Sequence, residues 1–216
     1  MTNMATHVAL LRGINVGGRN KVPMAELREV VASLGHTGVT TYIQTGNVLF
    51  TAAESDTAKL ASSLEAAITG AFGVKSSVVV LSRDELSEIL DRNPYPDEPN
   101  PKLVHVVFLN AELPPDLLDR IKAAEGASAA KGSRDTITAI GPALYVHTPD
   151  GFGPSELAQV LFRIIGTPGQ TAAWGTGPAA AGGQASRVVP PGKHSVAATA
   201  RNWATSTKLL SLCEDT

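Results

Sequence analysis

Cysteine is almost missing from this chain: Cys213 is the one thiol among 216 residues. An internal disulfide framework is therefore excluded, and the composition suits a reducing, cytoplasmic setting. Aromatic residues make up only 5%. A dominant charge is also lacking, since 18 Lys and Arg stand against 20 Asp and Glu for a formal net charge of −2. That balance argues against a strongly basic nucleic-acid binder while leaving room for a local basic patch. No apolar run approaches the ~20 residues of a membrane span. The first residues lack the basic, apolar, small-residue order of a secretion signal. The five histidines (His7, His36, His105, His147 and His194) are dispersed, without the acidic or thiol company that would make a metal site. No Ser-His-Asp or Cys-His arrangement has informative local spacing, and no cofactor motif stands out. Cys213 near the tail has no base placed beside it and reads as a small helix residue.

What is present is the composition of an ordinary globular protein, 43% hydrophobic, long enough for one large domain or two small ones. Residues 7–11 (His-Val-Ala-Leu-Leu) read as a strand. Pro23 suits the start of a helix carrying Leu27, Val30, Val31 and Leu34, and Gly35 stops it. Residues 39–44 and 48–51 form a hairpin across Thr45-Gly46-Asn47, with Gly46 the residue suited to positive φ. A helix with Leu60, Leu64 and Ile68 on one face follows, then a strand over 78–81. Ser82-Arg83-Asp84-Glu85 is a capping box opening one more helix. The first half thus reads βαββαβ plus a helix. The Pro-rich run from Asn93 to Pro101 is a linker. Beyond it the pattern repeats as βαββα: a strand over 103–109, a Pro-started helix at 115–123, a hairpin of 136–140 and 143–147 across Gly141-Pro142, and a helix over 154–165. Residues 166–198 are rich in Gly, Ala and Pro and read as a long flexible insertion. A helix over 203–212 closes the chain. The expected units are 1–93, 102–165, the insertion 166–198, and a C-terminal motif and helix at 199–216.

In an α-β plait the sheet order is 4-1-3-2 and antiparallel throughout, so the exit of the first strand and the first hairpin turn share one end of the sheet. That topology brings Arg12, Asn15, Asn20, Lys21, Gln44, Thr45 and Asn47 together.

The polar loop Arg12-Gly13-Ile14-Asn15-Val16-Gly17-Gly18-Arg19-Asn20-Lys21 follows the first strand directly. Its spacing matches neither the dinucleotide fingerprint nor a phosphate loop. Two readings stand: glycines that permit tight turning, or bare backbone N–H groups approaching an anion that Arg12, Arg19 or Lys21 neutralises. Gln44 and Asn47 either cap their own turn or join that site. Gly192-Lys193-His194-Ser195 resembles the end of a phosphate loop, but Arg187 stands where the earlier glycine belongs. Gly151 to Ser155 opens a helix whose first turn carries Glu156, so capping rather than anion binding is expected. Bases are stacked by RNA-recognition motifs on aromatics of strands one and three. Here strand one has none and strand three offers only Phe50.

Leu11 to Gly18, with Lys21 and Met24, followed by Thr41 to Val48, resemble the bacterial family catalogued as domain of unknown function 1697. Thr199-Ala200-Arg201-Asn202-Trp203, with Thr207-Lys208-Leu209, is similar to that family's C-terminal signature. The resemblance implies two α-β plait subdomains and no established activity. Two departures stand out: Glu156 occupies the place of a lysine in the family pattern, and the Gly/Ala/Pro stretch interrupts the chain before the C-terminal motif.

The expected fold is α+β, two tandem ferredoxin-like units with a C-terminal helix packed across them. The expected function is recognition of a small anionic ligand, a nucleotide or phosphorylated metabolite. Arg12 and Lys21 would supply charge, Gly17 and Gly18 backbone donors, and Asn15, Gln44 and Asn47 amides. Arg201, Asn202, Trp203 and Lys208 would complete the site. The alternative is a non-catalytic nucleic-acid or protein interaction module in which the motif residues form a structural network between the halves.

Overall fold

The computed structural model describes residues 4–165 and 196–215. Its elements run β1 (His7–Leu11), α1 (Met24–Ser33), β2 (Thr37–Tyr42), β3 (Asn47–Thr51), α2 (Thr57–Phe72), β4 (Val78–Ser82), α3 (Arg83–Asp91), β5 (Val104–Leu109), α4 (Pro115–Ala129), β6 (Thr136–Ile140), β7 (Ala143–His147), α5 (Glu156–Ile164), β8 (Ala198–Asn202) and α6 (Trp203–Asp215). They build two four-stranded sheets ordered β2-β3-β1-β4 and β6-β7-β5-β8, antiparallel at every pairing. The architecture is α+β, and each half contributes the same βαββαβα series. Among the described residues no helix is long and apolar enough to cross a membrane.

The period-2 rule of a strand explains why β1 and β5 carry apolar residues on both faces. In β1, Ala9 and Leu11 face α1 and α2, packing with Leu27, Val31, Leu60, Leu64 and Ile68. Val8 and Leu10 face the other way, into a core shared with the second sheet. In β5, Val107 and Leu109 meet α4 and α5, while Val106 and Phe108 face that shared core. Its helical part comes from Leu86, Ile89 and Leu90 of α3 and from Leu209 and Cys213 of α6. Each third helix reaches the opposite half: the Tyr145 hydroxyl on β7 donates to the Ile89 carbonyl on α3 at 2.5 Å, and α6 packs on both β3 and β5. Burying both faces of both sheets is what fastens the halves together, since apolar area removed from water is worth about 25 cal/mol per Å².

Several local expectations change. Residues 198–202 form β8, the fourth strand of the second sheet, paired along β5 from Leu109↔Ala198 to His105↔Asn202. Their alternation, with Thr199 and Arg201 between alanines, hides a strand because its buried polar positions answer to the other half of the molecule. Helix α4 continues to Ala129 rather than stopping near 123, held by the Glu125 carboxylate, which accepts from the Ile137 N–H at 2.9 Å. Helix α5 starts at Glu156, because Ser155 is its cap and accepts from the Ala158 N–H. The Ser82–Glu85 capping box forms in both directions. The first hairpin turn spans 43–46, since Asn47 already pairs with Leu10; Gly46 has φ +83, and Ile43 also sits at positive φ, +50. Of the predicted insertion, residues 166–195 lie outside the described residues, and with them Arg187, Lys193 and His194.

Candidate functional site

The exit of β1 and the first hairpin turn meet at one end of the first sheet, as the strand order requires. The Leu11 N–H donates to the Gly46 carbonyl at 2.8 Å, and the Arg12 N–H to the Ser77 carbonyl at 3.0 Å and the Ser76 hydroxyl at 3.1 Å. Three chain segments are therefore laced around Arg12, whose half-buried guanidinium is held below its ordinary pKa by burial. At Gly46 nothing but glycine fits: an added Cβ would lie 2.7 Å from Leu11 Cβ and 2.8 Å from Ile14 Cδ1.

The loop itself is tied at its base by amides. Asn15, at φ +53, donates from Nδ2 to the carbonyls of Val22 (2.8 Å) and Gln44 (2.9 Å), and its Oδ1 accepts from the Val22 N–H (2.8 Å). Asn20 donates from Nδ2 to the Gly13 carbonyl (2.9 Å). Asparagine tolerates the left-handed region better than other side chains, so both residues serve conformation and bonding at once. Above this base Val16 bridges Arg19, and the tip between them is Gly17 and Gly18, at φ +58 and +74. Gly17, Gly18, Arg19, Lys21 and Gln44 are exposed. Arg19 and Lys21 make no ion pair among the described residues.

Arg201 stands on the other side of this end, inside the molecule at 4% exposure. Its Nε donates to Asn47 Oδ1, Nη1 to the Thr199 hydroxyl and the Ala200 carbonyl (both 2.8 Å), and Nη2 to the carbonyls of Leu11 (2.9 Å), Gly46 (3.2 Å) and Thr45 (3.3 Å). Burial pushes its pKa down to about 10, still far above neutrality, so the buried cation stays charged and is answered entirely by dipoles of both halves. Asn47 completes the junction by donating to the Tyr42 carbonyl at 2.9 Å. Asn202 caps α6, its Oδ1 accepting from the Thr205 N–H at 2.8 Å. Trp203 packs half-buried on the shared core, and Lys208 is exposed on α6. No hydrogen bond among the described residues joins Asn202, Trp203 or Lys208 to the loop.

The structure adds Thr199, Ser76 and Ile43 to the expected set. Thr199 lay within the C-terminal signature; nothing in the sequence marks Ser76, whose partner is a backbone atom 64 positions away. The other places singled out in the sequence serve the fold. Phe50 is buried beneath α1 and α2 between His7 and His36, with ring centroids 5.6 and 4.8 Å away. It is closed to a base. His105 stacks on Phe152 at 3.9 Å and His147 pairs with Glu98 at 2.7 Å. An open cleft runs between the end of α4 and the start of α5, lined by Asp135, Asp150 and Glu156 with Lys131. Lys131 is already 3.6 Å from Glu156, and Asp135 accepts from the Ser155 hydroxyl at 2.7 Å. Its acidic lining repels an anion.

Comparison with known proteins returns a family and a fold. The family model described as Protein of unknown function (DUF1697) matches residues 4–145. The solved structure of conserved bacterial protein SP0830 from Streptococcus pneumoniae is similar at TM-score 0.60 and 23% identity, over 97% of this chain and 99% of that one. No curated protein matches this chain.

Proposed function

This chain belongs to the family described as Protein of unknown function (DUF1697), and on that footing we propose that its three motifs divide into two tasks. Asn47 and Arg201 fasten the two ferredoxin-like halves, and Asn202 caps α6. The loop from Gly17 to Lys21, steadied by Asn15, receives a small phosphorylated ligand in a cytoplasmic protein.

The observation that carries this reading is the Asn15 clamp. Three hydrogen bonds of one half-buried amide side chain hold an exposed tip of left-handed backbone, flanked by Arg19 and Lys21. Successive N–H groups in such conformations form a concavity suited to an anion. A tip that is held in place before binding loses less entropy when the ligand arrives. Arg12, at the foot of the loop, adds positive potential.

The test is a thermal-shift and NMR titration with inorganic phosphate and phosphorylated metabolites. The wild type should gain melting temperature, because a ligand that binds only the folded state stabilises it. The Arg19→Ala/Lys21→Ala pair should lose that gain at an unchanged unliganded melting temperature. Equal shifts in the wild type and the pair would overturn the reading.

The exposed tip also suits a phosphate-bearing polymer. Affinity for a polymer would fall steeply with salt, whereas a single phosphate contact is far less sensitive.

A further inference from the structure

Ile43 is 46% exposed at φ +50. Left-handed backbone is a genuine outlier for a β-branched residue, and strain of this kind clusters at functional sites. Ile43 belongs to none of the three apolar cores. Asparagine or glycine would occupy the same backbone without strain, as Asn15, Asn20 and Gly46 do nearby. The other large exposed apolar side chains among the described residues, Met4 and Leu34, lie at the far end of the sheet: the Met4 carbonyl accepts from Thr51 at the end of β3, and Leu34 caps the end of α1. Of these three, Ile43 alone stands beside the loop. One nitrogen fixes that proximity, because Asn15 Nδ2 holds the carbonyl of Gln44, next to Ile43, and the carbonyl of Val22, next to Lys21.

We propose that Ile43 is the specificity-determining contact of the loop site, and that its ligand is a phosphate monoester carrying an apolar or aromatic group. The phosphate meets Gly17, Gly18, Arg19 and Lys21, and the apolar group covers Ile43. This rests on the loop being an anion site. A ligand of phosphate alone has no use for an exposed, strained isoleucine, whereas an apolar group laid on it removes both surfaces from water.

Phenyl phosphate and methyl phosphate separate the two claims, because they share the anion and differ in the apolar group. Titrated into the full chain by NMR, phenyl phosphate should bind roughly tenfold tighter than methyl phosphate, the gain expected from burying a few carbons. Ile43→Asn and Ile43→Gly should raise the melting temperature by relieving strain and bring the affinity ratio close to one. Arg19→Ala/Lys21→Ala should lose both ligands.

If the two phosphates bind the wild type equally, or the ratio survives in both Ile43 variants, the role of Ile43 is overturned and the anion site stands. A lower melting temperature in both Ile43 variants also overturns it, because the isoleucine is then a packing residue. If neither phosphate binds the wild type, the anion site and the role of Ile43 fall together.

Discussion

The guanidinium of Arg201 donates to the side-chain oxygen of Asn47, 154 residues earlier and in the other sheet. Neither residue reaches solvent in any quantity, at 4% and 0% exposure. This contact, the three backbone carbonyls beside it and the Tyr145–Ile89 bond are polar contacts within a largely apolar junction between the halves. A buried charge is costly unless fully hydrogen-bonded, and here the bonds exist only when both halves are in place.

Arg201→Met is therefore expected to destabilise the protein by about 3 kcal/mol or more, since it leaves several buried oxygens unsatisfied at about 1–3 kcal/mol each. Urea unfolding measures it. A double-mutant cycle with Asn47→Ala should show a coupling of at least about 1 kcal/mol. A loss below about 1 kcal/mol for Arg201→Met would refute the junction's role.

Gly46→Ala places a methyl group against Leu11 Cβ and Ile14 Cδ1 at less than 3 Å, at a φ of +83. Strain and overpacking each cost about 1–3 kcal/mol, so the variant should unfold several degrees lower or fail to fold. Wild-type stability in this variant would mean that the hairpin turn does not sit on the loop.

Asn15→Ala removes all three bonds of the clamp and also places alanine at φ +53. Asn15→Gly keeps the backbone conformation and removes only the side chain. Both should speed amide exchange across residues 16–22, with Asn15→Ala the less stable by about 1 kcal/mol. Unaltered exchange in both variants would show that the loop is held by something else.

Stability should fall as pH drops below neutrality. Burial lowers the pKa of His7 and His36 and takes His105 down from 6.5 to about 4. Above the unfolded value both states are neutral and nothing changes. Below it the unfolded chain takes up protons that the folded chain refuses, so stability declines from about pH 6.5 to about pH 4. The share of His105 is about 3 kcal/mol at 1.36 kcal/mol per pKa unit. Denaturant midpoints at a series of pH values test this, with His105→Gln flattening the slope; a flat profile from pH 7 to 5 in the wild type would contradict it.

Cys213 is buried and its thiol is pushed up to about 11, chiefly by burial. A disulfide-exchange reagent at pH 8 should label it only on unfolding. Rapid labelling of the native protein would place α6 elsewhere.

Much of this molecule was legible in advance because its signals are periodic and local. Short, nearly continuous apolar runs mark β1, β3, β4, β5 and β7; the Leu60-Leu64-Ile68 stripe marks α2; and the Ser82 capping box marks the start of α3. From the βαββαβ order alone the loop after β1 and the first hairpin were expected at one sheet end, and the Leu11–Gly46 bond joins them there. The strand β8 was illegible because a buried Thr199 and Arg201 break the apolar run. Their burial makes sense only against the opposite half, which supplies Asn47 and the carbonyls of Leu11, Thr45 and Gly46.

The sequence by itself determined which segments become helices and strands, and that a glycine- and amide-rich basic loop leaves the first strand, because propensity, periodicity and capping act over a few residues. Tertiary structure decided that Arg201 turns inward while Arg19 and Lys21 turn outward, and that Ile43 stands beside the loop. The acceptors that hold Arg201, and the carbonyls that Asn15 gathers, belong mostly to the backbone. A backbone carbonyl is the same in every residue, so no side-chain pattern announces it.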